Sequence, residues 1–139
     1  MKVSQFKVNE EGLNRFFGSL EARIMRIIWA TEEISIKEVQ QKIDQESPIS
    51  FNAVMTVMNR LTEKGHLKKR TGGRSTYFSA VQSKEQFLEE QARAVTVGLI
   101  EEFGDLVVNH MIEALDQADP ASIAKLEQKL LELKKKNKL

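Results

Sequence analysis

Positive side chains are concentrated in one short stretch of the sequence, which runs from Arg60 to Arg74. This stretch holds six Lys or Arg residues and one acidic residue, Glu63. Cations at this density repel one another unless a bound polyanion neutralises them. The stretch therefore predicts a surface for a polyanion such as nucleic acid, although charge alone fits a solvated face equally well. The six cations are Arg60, Lys64, Lys68, Lys69, Arg70 and Arg74.

No set of residues in the sequence predicts catalysis. The chain has no cysteine, which excludes thiolate chemistry, and its two histidines, His66 and His110, lie in no metal-binding spacing such as HExxH. There is no glycine-rich phosphate loop. Adjacent carboxylates such as Glu101 and Glu102 are not one helical turn apart and fit a helix surface. We therefore expect that the protein is not an enzyme and has no metal site and no cofactor.

The net charge of the chain is unevenly divided. Over 139 residues it is only +1, but residues 1–82 hold 13 Lys and Arg against 9 Asp and Glu, a net of +4. Residues 83–139 hold 8 against 11, a net of −3. With 41% hydrophobic residues, the chain can form a small domain with an accessory segment. We find no secretory leader and no membrane-spanning run, so we expect a cytoplasmic protein.

Three helices and a hairpin are predicted in the basic half. Apolar residues at the spacing of one helix face predict a first helix near residues 20–29. A capping box at Ser35 opens the second helix, which stops before Pro48, and the third covers residues 50–64. Two strands follow, joined at Gly72-Gly73. This order predicts a mainly α fold with a small β-hairpin wing, that is, a winged helix-turn-helix.

The second helix of a helix-turn-helix motif enters the major groove of DNA. Here that helix is the third one, whose apolar stripe turns inward and leaves a polar face outward. Asn suits adenine, Arg suits guanine or phosphate, and the free amides beside Ser50 can hold a phosphate. Each residue taken alone also fits an ordinary exposed helix face, but the basic wing beside it favours nucleic-acid binding. The predicted contacts are Ser50, Asn52, Ala53, Thr56, Asn59 and Arg60 on the helix, and Lys68, Lys69, Arg70 and Arg74 on the wing.

These elements resemble the penicillinase-repressor (BlaI/MecI-type) family of bacterial transcriptional repressors. The likeness covers residues 18–83 well and continues more loosely to the C-terminus. The segments that carry it are LE…IW at 20–29, SIKEV at 35–39, SFNAVMTVMNRL at 50–61, KGHL at 64–67 and GRSTY at 73–77.

The resemblance implies a homodimer that binds a pseudo-palindromic DNA operator and represses transcription. The recognition helix would lie in the major groove and the basic wing on the backbone or minor groove. By position, Asn52, Ala53, Thr56 and Arg60 match the DNA-facing residues of the family, and Arg74 matches the wing arginine. The family often has Thr or Lys at positions 52 and 53, so the operator sequence stays open.

Two departures from the family pattern concern regulation. Antibiotic-responsive members are inactivated by a sensor protease that cuts an Asn–Phe bond, but the matching place here is Glu102-Phe103. Copper-responsive members use a C-terminal cysteine motif, which this chain lacks. The inducing signal is therefore open.

The acidic half is predicted to be helical and to form the dimer. A capping box at Ser83 opens a long helix to about residues 110–115, and Asp119-Pro120 opens the last helix, which carries a narrow apolar seam. We therefore expect an N-terminal tail at 1–17, a winged-helix DNA-binding domain at 18–82 and a helical dimerisation region at 83–139. The predicted dimerisation residues are Leu99, Phe103, Leu106, Val107, Ile123, Leu126, Leu130 and Leu133.

A second interpretation competes with the repressor. Apolar residues between 87 and 111 could line a pocket for a small effector instead of packing on a partner chain. The protein would then be a ligand-sensing or protein-interaction winged helix with little specific DNA binding.

Overall fold

The computed structural model describes residues 6–7, 10 and 12–137. The chain divides into two compact units, one ending at Val95 and the other starting at Thr96. Six α-helices and two strands make up most of the described residues. In chain order these are α1 Ser19–Trp29, α2 Ile36–Asp44, α3 Phe51–Glu63, β1 Leu67–Gly72, β2 Ser75–Ala80, α4 Lys84–Phe103, α5 Asp105–Ala114 and α6 Pro120–Lys136, with short 3-10 helices at Gly12–Arg15 and Leu115–Gln117.

Side-chain caps define where helices α2 and α3 begin. The Ser35 hydroxyl accepts from the Glu38 amide at 3.2 Å, and the Glu38 carboxylate accepts from the Ser35 amide at 3.2 Å, which is a complete capping box. The Ser50 hydroxyl accepts from the Ala53 amide at 3.1 Å. Both predicted starts are confirmed.

The core of the first unit is built from one face of each of the first three helices. On α3 the buried residues are Val54, Met58 and Leu61, which recur every three or four positions. Each such side chain stabilises the fold by roughly 1.5–3 kcal/mol relative to an exposed one. Their burial fixes the rotation of α3 and therefore decides which of its residues face outward.

The wing is an antiparallel hairpin whose register runs from Leu67↔Ala80 to Gly72↔Ser75. Its two turn residues are therefore Gly73 and Arg74, one position later than the predicted Gly72-Gly73 turn. Gly73 has φ +64°, and no described non-glycine residue has a positive φ, so only the first turn residue needs the left-handed region. That is the pattern of a type II′ turn, whose twist matches the hairpin.

A single antiparallel β-bridge connects the wing to the segment between α1 and α2. Ile34, in the segment between α1 and α2, exchanges two backbone hydrogen bonds with Phe78 of β2, at 3.0 and 2.8 Å. Both side chains are buried, which holds the base of the hairpin against the core. The winged-helix fold predicted from the sequence is confirmed.

The segment before α1 contributes to the core. Leu13 and Phe17 are buried, although the sequence assigned residues 1–17 to an N-terminal tail outside the winged-helix domain. Phe17 stacks on Phe87 of α4 with 5.1 Å between the ring centroids, and the Trp29 indole donates to the Gln82 carbonyl at 3.0 Å. The first turn of α4 therefore belongs to the core of the first unit.

The second unit holds the end of α4, then α5 and α6. The sequence predicted one helix from Ser83 to about residues 110–115, but α4 stops at Phe103 because Gly104 has φ +53°. A new helix then begins at Asp105. The start of α6 is as predicted, with the Asp119 carboxylate accepting from the Ser122 amide at 2.7 Å. Across the described residues, none of the helices is both long and apolar enough to cross a membrane.

Candidate nucleic-acid interface

Helix α3 presents a polar face on the side away from its buried stripe. Asn52, Thr56 and Arg60 are exposed, and Ala53 and Asn59 are half-buried at the edges of this face. Their spacing follows from the helical period, since positions 52, 56 and 60 lie one turn apart. The structure brings the five predicted residues onto one side of one rigid element.

Two hydroxyl groups on this helix are already engaged. Ser50 caps the helix through its oxygen, as described above. The Thr56 hydroxyl donates to the Asn52 carbonyl one turn earlier, at 2.8 Å. The Thr56 proton is therefore used inside the helix, while its methyl group and oxygen lone pairs remain available for an outside contact.

The cations of the wing occupy three different places. Lys69 pairs with Phe78 in the hairpin register and so lies on the face that carries the core residues. Lys68 and Arg70 lie on the opposite face, and Arg74 is exposed at the turn. The sequence grouped Lys68, Lys69 and Arg70 together, but strand alternation divides them between two faces.

Arg70 is bound within the protein. Its guanidinium donates three hydrogen bonds to the Glu33 carboxylate, from Nε to Oε1 at 3.0 Å and to Oε2 at 3.3 Å, and from Nη2 to Oε2 at 2.7 Å. It also lies 5.2 Å from the centre of the Tyr77 ring. The hydrogen bonds from Arg70 hold the pKa of Glu33 below its usual value. This arrangement braces the outer face of the wing against the segment that precedes α2.

Lys64 is also paired, with Glu21 of α1 at 3.1 Å. Burial disfavours the charged Glu21 carboxylate, but the Gly18 amide and Lys64 outweigh this effect and hold the pKa of Glu21 below its usual value. Within the described part of the chain, the four remaining cations of the basic stretch form no ion pair. These four are Arg60, Lys68, Lys69 and Arg74.

His66 lies beside the basic stretch but is packed among aromatic rings. It meets Phe17 and Phe87 edge to face, at centroid distances of 5.1 and 5.7 Å. Burial and the nearby Lys64 lower the pKa of His66, against an opposing effect of Glu21. The environment therefore favours the neutral ring. No group of side chains in the described residues has the makeup of a metal site.

Phe51 is not among the predicted site residues, and the structure leaves it partly exposed at the start of α3. It is the first residue of the helix, and 43% of its surface is exposed. Phe51 lies three residues before Val54 and seven before Met58, so it continues the apolar side of α3 to the start of the helix, where it is only partly covered.

The second unit, described by itself, carries many exposed apolar side chains. Seven of the eight predicted dimerisation residues are exposed large hydrophobics, and Val107 is half-buried. No side chain between residues 96 and 137 is buried. The seven are Leu99, Phe103, Leu106, Ile123, Leu126, Leu130 and Leu133.

Comparison with solved structures finds similar regulators. The chain is similar to the DNA-binding domain of the repressor BlaI, with 22% identity over 58% of this chain and 90% of that one and a TM-score of 0.44. It is similar to the CopR repressor, with 27% identity over 56% of this chain and 100% of that one and a TM-score of 0.41. It is also similar to a transcriptional regulator from Clostridium thermocellum, with 16% identity over 68% of this chain and 98% of that one and a TM-score of 0.45. Comparison with curated protein sequences gives no significant match.

The decisive comparison is with protein families. The model of the penicillinase repressor family matches residues 17–132, a span that includes α1 to α5, the wing and most of α6. The chain therefore belongs to the penicillinase repressor family and is a DNA-binding regulator that represses transcription.

Proposed function

We propose that the protein represses transcription as a homodimer on a pseudo-palindromic operator in the cytoplasm. Each protomer docks α3 in the major groove of one half-site, and the wing lies on the adjacent backbone or minor groove. The observation that carries this proposal is the outward face of α3, where Asn52, Thr56 and Arg60 are exposed at one-turn spacing.

The contacts are divided between phosphates and bases. Ser50 and the first free amides of α3 hold a phosphate, because a helix N-terminus attracts anions. Asn52 and Thr56 read base edges, with Ala53 and Asn59 at the border of that contact. The four unpaired cations, Arg60, Lys68, Lys69 and Arg74, supply most of the electrostatic attraction, with Arg70 as the brace of the wing.

The helical region at 83–139 forms the dimer in this proposal, and the winged helix at 18–82 binds DNA. Exposed apolar side chains on α4, α5 and α6 support the dimer, because a small unit that buries no side chain over residues 96–137 gains stability from a second copy. A two-fold dimer also matches an operator with two inverted half-sites.

Selection of bound duplexes from a random pool tests the DNA-binding proposal. We expect two inverted half-sites whose centres lie about 10–10.5 base pairs apart or a multiple of that distance. Asn52→Ala and Thr56→Ala should each change the selected sequence, whereas Lys125→Ala on α6 should not. A pool with no enriched sequence would contradict the proposal and favour a ligand-sensing or protein-interaction module.

Sedimentation of full-length variants tests the dimer. Leu126→Asp places a charge in the apolar seam of α6 and should shift the protein toward monomer. Gln128→Asp adds the same charge to the same helix outside the seam and should remain dimeric. A dimer that survives Leu126→Asp, or a chain ending at Val95 that still dimerises tightly, would place the interface elsewhere.

A sensor protease remains a hypothesis for regulation. The bond between Glu102 and Phe103 lies in the last turn of α4, directly before the break at Gly104, and both side chains are exposed. Mass spectrometry of the protein from induced cells would detect a cut there. Intact protein under every inducing condition would exclude this route.

A further inference from the structure

Phe87, near the start of α4, is buried among aromatic rings, with 2% of its surface exposed. The rings come from the segment before α1, from the end of α1 and from the turn before β1. The distances from the Phe87 ring centroid are 5.8 Å to Phe16, 5.1 Å to Phe17, 5.5 Å to Trp29 and 5.7 Å to His66. Such distances are typical of favourable aromatic packing. We call these five residues the Phe87 cluster.

Hydrogen bonds hold the backbone at the start of α4 beside this cluster. The Ser83 amide donates to the Gln86 side-chain oxygen at 3.0 Å, and the Gln86 amide donates to the Ser83 hydroxyl at 3.1 Å, which is a capping box. The bond from the Trp29 indole to the Gln82 carbonyl lies just before this cap. Only residues 81–83 separate β2 from α4. The winged helix therefore fixes both the position and the rotation of the first turn of α4.

The rest of α4 is much less embedded. The structure describes every residue of this helix, and of these only Phe87 and Gln91, one turn apart, are buried. The helix then continues to Phe103, a predicted dimerisation residue that lies 16 positions after Phe87, or about 24 Å at the rise of an α-helix. A pivot of about 8° at Phe87 would move that end by about 3.4 Å, which is the rise of one base pair. The packing of one ring can therefore decide a spacing of one base pair.

We propose that the Phe87 cluster clamps the start of α4 and thereby sets the half-site spacing that the dimer accepts. This inference rests on the proposed function, because it requires a dimer that binds two half-sites. Phe87 is a positioning residue in this proposal: its ring is buried and acts on DNA binding only through the direction of α4. The residues of α3 and the wing still read each half-site when the clamp is removed.

The test measures binding of the full-length protein to operators of altered spacing. Fluorescence anisotropy compares the operator selected by the wild type with duplexes that have one base pair added or removed between the half-sites. The wild type should lose about a hundredfold in affinity with either change, because simultaneous binding of two linked sites contributes at least that much. Phe87→Ala should lose less than about tenfold, since α4 can then adjust its direction and keep both half-sites bound.

Two further variants make the test specific to the clamp. Phe87→Leu keeps most of the buried apolar volume but lacks the stacked ring, and it should give an intermediate spacing dependence. Leu88→Ala is the matched control, because Leu88 is the next residue of α4 and its side chain is exposed. This control should keep the wild-type spacing dependence, and sedimentation should show all three variants as dimers.

The outcomes separate the clamp from the function on which it rests. If the wild type selects no duplex with two half-sites, the proposed function fails. If the wild type binds its operator but tolerates altered spacing, or if both Phe87 variants keep the hundredfold dependence, the clamp is refuted. A loss of affinity by the same factor at every spacing, or a shift of the Phe87 variants to monomer, would show that Phe87 only stabilises the fold or the dimer, and would also refute the clamp.

Discussion

The salt dependence of DNA binding follows from the ion pairs of the free protein. The basic stretch has six cations, but Lys64 and Arg70 are held by Glu21 and Glu33, at 3.1 and 2.7 Å. The remaining four per protomer would neutralise about eight phosphates in a dimer. The slope of log affinity against log salt should then be about −7, since each phosphate contact contributes about −0.9. If all six bound phosphates, the slope would be about −11.

Fluorescence anisotropy with the selected operator, repeated between 50 and 200 mM KCl, measures this slope. With about eight phosphate contacts, the affinity should fall roughly ten-thousand-fold over this range of salt. Arg74→Ala removes one contact from each protomer and should bring the slope to about −5. Arg70→Ala should leave it near −7, because Arg70 braces the wing. Lys125→Ala, on α6, is the charge-matched control and should leave it unchanged. A slope near −11 in the wild type would refute the assignment of four free cations per protomer. An equal reduction of the slope by Arg70→Ala and Arg74→Ala would refute the assignment of Arg70 as a brace of the wing.

Two further predictions concern stability. Because the pKa of His66 is lowered in the folded protein, the unfolded chain takes up a proton first as pH falls. Urea unfolding should therefore show full stability above about pH 6.5 and a loss from there down to the lowered pKa. His66→Phe should flatten that loss, and an unchanged pH profile would exclude His66 as its source. Ser35→Ala removes the cap of α2 and should cost about 1 kcal/mol in the free energy of unfolding, whereas Ser35→Asp should keep most of it. If Ser35→Ala and Ser35→Asp both have the wild-type free energy of unfolding, the capping box contributes little to stability.

Structural features that depend on residues close together in the chain could be predicted from the sequence. The Ser35 and Ser50 caps and the three-to-four spacing of Val54, Met58 and Leu61 depend on residues within one or two turns. They therefore predicted α2, α3 and the outward face of α3 correctly. The exposed position of Arg74 was also predictable, although the turn lies one residue later.

Structural features that depend on contacts between distant parts of the chain could not be predicted from the sequence. The pairing of Glu33 with Arg70 joins residues 37 positions apart, so the sequence counted Arg70 as a free cation. Leu13 carries no helical pattern, and only the folded core accounts for its burial. The break at Gly104 was ambiguous because a glycine inside a helical pattern is tolerated at a cost of about 1 kcal/mol.

The most direct test of the central claim is an NMR titration of the labelled full-length protein with its selected operator. Amide signals of residues 50–60 and 68–74 should shift together and saturate at one duplex per dimer. Residues 123–133 of α6 should keep their free-state signals. Shifts confined to α6, or shifts in α3 without any in the wing, would contradict the claim that recognition helix and wing together bind the DNA.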